Sequence, residues 1–173
     1  GRALDVLTPH VLWRLPVDGR SLIAGRTYRL CIDADGPLST TLRAGDSLVN
    51  VFASPFEEQA VTVAAEPEQQ VVLACAGDSC VAALAAGLAY LIIQEPEDLR
   101  QLPCDRVSAA AALAAGAVPV ALVASVRGKV TAKIDVSGLV AGRHYSLCVT
   151  SSGDGPEAGS SGVAFYVTGI TAA

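Results

Sequence analysis

The chain has 173 residues, enough for one large domain or two small ones, and pairs 51% hydrophobic with only 17% charged residues. Its apolar content is mostly Ala and Val, with aromatics at 5%, a mix suited to thin, tightly packed β-layers. A formal net charge of −5 and the lack of any basic run argue against nucleic acid or an anionic membrane as partner, since binding phosphate needs clustered Lys and Arg.

In chain order, alternation predicts short strands at 3–8 and 11–18, the second interrupted by Pro16, and a turn at Asp18-Gly19. Residues 27–33 form a strand pattern with Tyr28, Leu30 and Ile32 on one face and Cys31 on the other. A polar loop from Asp35 to Asp46 leads to a strand over 47–54, stopped by Pro55. Strands at 60–65 and 70–76 are separated by the turn-like Glu66-Pro67-Glu68. Cys75 to Cys80 reads as a tight turn, 81–86 as one helical turn and 88–93 as a strand.

Residues 95–106, with Pro96, Pro103 and several charges, form the expected exposed connection. The uncharged run 107–126 is long enough to span a bilayer, but it is Ala-dominated and holds Gly116 and Pro119. It predicts no membrane span, but a short helix or loop to 115 and a buried strand over 118–126. Strand patterns at 129–136, 145–150 and 163–168 follow, with a Gly/Ser-rich loop between the last two.

An internal repeat organises these elements. Leu22 to Cys31 reads LIAGRTYRLC and Leu139 to Cys148 reads LVAGRHYSLC, at a constant offset of 117 positions. In both, Leu-x-x-Gly-x-x-Tyr leads into an alternating strand. Gly25 and Gly142 would permit the backbone at a corner, and Tyr28 and Tyr145 would return a hydroxyl to it. Residues 129–168 resemble the last three strands of a fibronectin type III or related immunoglobulin-like sandwich. That family's corner is Leu-x-Pro-Gly-x-x-Tyr; Leu139, Gly142 and Tyr145 match its spacing, while Ala24 and Ala141 stand where it has Pro.

The resemblance implies an all-β, immunoglobulin/fibronectin-III-like β-sandwich, with tyrosine hydroxyls bonded to backbone a few residues upstream. It implies one complete module, 59–173, and a partial repeat, 1–58, holding only strand, corner, strand and strand. A rival partition, 1–95 and 96–173, also leaves one unit incomplete. Half a sandwich leaves open edges and an unburied face, so it must lean on the full module or on another chain.

Five Cys lean toward an oxidising compartment, and the absence of Met, position 1 included, fits a chain that starts after removal of a leader. Cys75 and Cys80 are close enough for a local disulfide, and Cys104 is the natural partner for Cys31 or Cys148, which hold equivalent repeat positions. One thiol is left free or pairs between chains. Asn50 is the only Asn and starts no glycosylation sequon; Ser/Thr clusters at 39–41, 151–152 and 160–161 offer O-linked sites.

Chemistry is sparse. Gly45-Asp46-Ser47-Leu48 resembles the first block of a lipase/esterase family with a serine nucleophile, which makes Ser47 a candidate. That family's further blocks, an Asn and a downstream Asp-x-x-His, are missing here, and Gly-Asp-Ser recurs at 77–79 as a turn formula. His10 and His144 are the only histidines, and neither has the company a metal site needs. Asp33, Asp35 and Asp46 could gather oxygens around Ca²⁺, with a polar turn as the competing explanation.

No cofactor is expected. The composition predicts a non-enzymatic extracellular or cell-surface structural protein, a repeating subunit of a filament or surface appendage joined through sheet edges of neighbouring copies. The competing class is an adhesion or carbohydrate-binding module using the loops 33–46 and 151–162, which carry no aromatic residue for stacking on a sugar.

Overall fold

The structure, a computed structural model, describes residues 16–33, 44–77, 80, 87–94, 104, 108–125, 128–150 and 158–170. The chain is all-β in class, and the described strands form two sheets. One has two strands, β1 (Thr27–Asp33) and β2 (Ala44–Phe52). The other has seven: β3 (Gln59–Ala64), β4 (Gln69–Ala74), β5 (Ala89–Ile93), β6 (Val118–Ala124), β7 (Lys129–Ile134), β8 (His144–Thr150) and β9 (Ala158–Thr168).

The larger sheet runs β3-β9-β8-β5-β6-β7-β4. Its end strands β3 and β4 are consecutive in the chain and touch, so the sheet curls until it nearly closes into a barrel. Only β3 and β9 run parallel; every other pair is antiparallel. β6 changes partner along its length: Val118 to Val120 pair with β5, and Val120 to Ala124 pair with β7. Pro119, which donates no ladder hydrogen bond, lies near the strand's start, where a proline is tolerated.

Alternation builds the core. Val130, Ala132 and Ile134 of β7 point inward, as do Val163, Phe165 and Val167 of β9, and they meet Leu73, Leu91, Leu147 and Val149. β8 departs from alternation because it is covered on both faces, with every residue after His144 buried. Its second face packs Cys148 against Tyr90, Cys104, Ala109, Ala112 and Ala158. The cover is helix α1 (Ala109–Ala114), whose first turn is capped by Ser108 Oγ accepting from Ala111 N at 3.3 Å. Small alanines let this helix lie close to the sheet.

Within the uncharged run, the described residues 108–125 fold as expected into a short helix, α1, followed by a strand, β6, and no helix among the described residues is long and apolar enough to cross a membrane. Other expectations need correction. The sequence predicts a buried strand here, but only Val120 of β6 is buried. The described end of the expected strand 11–18, Pro16 to Asp18, is irregular and leads into a 3-10 turn at Gly19–Ser21; the rest lies outside the described residues. β9 starts at Ala158, five positions before the expected strand, because its Gly/Ser stretch is ladder rather than loop. Small residues are required there: a Cβ on Gly159 would lie 2.0 Å from the Phe52 ring. β2 likewise starts at Ala44, so Gly45 and Asp46 are strand residues.

Candidate functional site

The β1–β2 hairpin repeats the corner of the β8–β9 hairpin. Each is entered through a 3-10 turn, where Leu22 N donates to Gly19 O at 3.0 Å and Leu139 N to Val136 O at 2.9 Å. The chain then turns at Gly25 and Gly142, whose φ angles of 80° and 81° lie in the left-handed region open to glycine. The two glycine amides donate across the hairpin, to Ala53 O and Val167 O, both at 2.7 Å. Tyr28 OH accepts from Ile23 N and Tyr145 OH from Val140 N, again both at 2.7 Å. All six corner residues thus sit in two matching corners.

The match continues beyond the ten residues that betray it in sequence. A β-bulge interrupts the ladder between Arg29 and Cys31, and another between Ser146 and Cys148. On the return strand, Ser47 Oγ accepts from Val49 N at 3.2 Å and Ser161 Oγ from Val163 N at 3.1 Å. Between each serine and valine the backbone turns left-handed, at Leu48 (φ 60°) and Gly162 (φ 76°). Ala-Gly-x-Ser-x-Val over 44–49 and 158–163 was the available sequence signal.

Surroundings are where the hairpins part. β8 is flanked by β5 and β9 by β3, whereas β1 and β2 pair only with each other among the described residues. Val149 and Val163 are 1% and 2% exposed; their counterparts Ile32 and Val49 are 54% and 49% exposed. Leu147 is fully buried and Leu30 only half-buried. Leu48, held in a conformation that side chains avoid, is 82% exposed. An open cavity of about 680 Å³ lies between the hairpin and the turn closed by Cys75–Cys80, lined by Val17, Leu22, Val51, Phe52, Pro55 and Cys80. The corner residue Leu22 is half-buried beside this cavity, while its counterpart Leu139 is buried in the core cluster.

A short connection ties the hairpin down. Ser54 Oγ donates to Ser161 O at 2.5 Å and accepts from Phe56 N at 3.0 Å, and Pro55 and Phe56 are buried. The cysteines pair as Cys75–Cys80 and Cys104–Cys148, with Cα separations of 5.7 and 5.4 Å. Cys31 is the odd thiol and is exposed on β1. Beside Cys148, the hydroxyl of Tyr90 is buried with no hydrogen-bond partner among the described residues, and burial pushes its pKa up.

The remaining candidates are dispersed. Ser47 Oγ donates to Leu30 O at 2.6 Å, so this hydroxyl is used to hold the bulge of its own hairpin. His144 opens β8, exposed, with its ring 4.9 Å from that of Tyr166; His10 lies outside the described residues. Asp46 is committed to its own hairpin: Oδ2 accepts from Arg29 at 2.8 Å and Oδ1 from Leu48 N at 2.9 Å. Asp33 ends β1 and Asp35 lies outside the described residues, so the three aspartates are not seen to gather around one point. Asp135 caps the second 3-10 turn, and bonds from the Ser137 hydroxyl and amide hold its carboxyl below the usual range.

No protein-family model, curated protein or solved structure matches this chain.

Proposed function

We propose that the chain is a non-enzymatic extracellular structural protein, a repeating subunit that assembles with other copies through β-strand edges into a filament or surface appendage. One observation carries the reading: a hairpin that reproduces the corner of β8–β9 leaves Ile32 and Val49 exposed and Tyr28, Leu30 and Val51 half-buried on the face that β8–β9 buries. Exposed edges with apolar faces take up strands from neighbours. The two disulfides fit an oxidising compartment, where such bonds persist.

The same reading takes 59–173 as an immunoglobulin-like sandwich and 1–58 as the last portion of another. The parallel β3–β9 pair, the shared strand β6 and the tyrosine at the start of β8 support that assignment. Residues 1–58 would then supply only the closing hairpin of their module.

Negative-stain microscopy with light scattering tests the proposal. The unmodified chain grows in mass with concentration and forms fibres or ladders, and Ile32→Lys with Val49→Lys keeps it monomeric, because buried unpaired charge opposes docking. A wild-type chain that stays monomeric at high concentration contradicts it.

A further inference from the structure

We infer that the open edge of β1 is built for one kind of occupant, an antiparallel polypeptide strand with the residue pattern of β5. The inference rests on the reading of the hairpin as an assembly surface and names what that surface takes.

β5 shows how the equivalent edge is filled. Ala89, Leu91 and Ile93 lie opposite Val149, Leu147 and Tyr145, and Tyr90 lies opposite Cys148. At the offset of the repeat, β1 presents Ile32, Leu30, Tyr28 and Cys31 at these places, so three of the four residues are unchanged and the fourth is again β-branched. An edge with the same side chains and the same bulge accepts the same partner in the same register. The remaining position of this edge, Ser146, is replaced by Arg29, whose charge is answered within the hairpin by Asp46 at 2.8 Å. A docking strand thus meets a paired charge at this position.

Cys31 reports the register. The probe is a peptide with the sequence of residues 87–94, GLAYLIIQ, carrying Tyr90→Cys as a mixed disulfide with 5-thio-2-nitrobenzoate. The Cys31 thiolate attacks the peptide sulfur, one disulfide replaces another, and one nitrothiobenzoate anion leaves for each bond formed. With the full, disulfide-intact chain, this peptide reacts about tenfold faster than one activated at Leu91→Cys, whose sulfur faces the opposite side, because docking raises the local concentration. Ile32→Lys in the chain removes the difference.

Equal rates for the two peptides overturn the inference. So does a Cys31–Cys31 dimer forming ahead of peptide capture, which makes a second copy's β1 the occupant. Register-selective capture without fibres leaves the strand specificity standing and removes the filament reading; fibres without selectivity do the reverse.

Discussion

Leu147→Ala lowers the stability of the chain by about 3 kcal/mol, while Leu30→Ala, the same change at the equivalent repeat position, lowers it by less than about 1 kcal/mol. Leu147 is fully buried, between the core and a β5–β9 frame, so its removal loses transfer energy and leaves a cavity. Leu30 belongs to the same motif and lies beside the same bulge, but it is half-buried and its edge is open. The comparison holds residue type, strand position and corner chemistry constant and varies only what covers the hairpin. Urea unfolding followed by circular dichroism reads both values under dilute conditions. Equal losses would mean that β1 is already as well covered as β8 in the lone chain.

Cys148→Ser destabilises by about 4 kcal/mol and Cys80→Ser by about 2, because a disulfide restricts the unfolded chain more when it closes a longer loop. The separations are 44 residues for Cys104–Cys148 and 5 for Cys75–Cys80. The longer bridge also fastens Cys104 over the outer face of β8, where Cys148, Tyr90 and the alanines of α1 form the second buried cluster. Cys31→Ser changes stability by less than about 0.5 kcal/mol, since an exposed thiol without a bond restrains nothing. Thermal unfolding of the three variants ranks them. A Cys31 variant as damaging as Cys148→Ser would show that this thiol is already engaged within the monomer.

Alternating residues made most of the fold legible. The strand at Thr27–Asp33 follows from its sequence pattern, and those at 60–65, 70–76 and 129–136 from theirs to within two residues, because one covered face imposes period two. The corners were legible because a left-handed glycine and a tyrosine hydroxyl are demands that only particular residues meet. The start of β9 was not, since Gly159 to Ser161 look like a loop until the Phe52 ring and the β8 ladder explain why small residues must stand there.

The site was half legible. The ten-residue repeat signalled a duplicated corner, but the return strands share only Ala-Gly-x-Ser-x-Val, and in the first copy a lipase-like tetrapeptide obscures it. Sequence also left Cys104 two equivalent partners. The choice of Cys148 goes with the packing of Ala109 and Ala112 over one hairpin, a cover the other does not have among the described residues. Equivalence in sequence could not foretell a difference in surroundings.

The central claim is that β1–β2 is an open copy of β8–β9 and closes when another strand joins it. Amide hydrogen exchange, read residue by residue in dilute chain and in assembled material, tests it most directly. In dilute chain the outward amides of β1 exchange at least about a hundredfold faster than those of β8, and in assembled material they slow to the β8 rate. Protection of β1 equal to β8 in the dilute monomer, or rapid β1 exchange persisting after assembly, would contradict the claim.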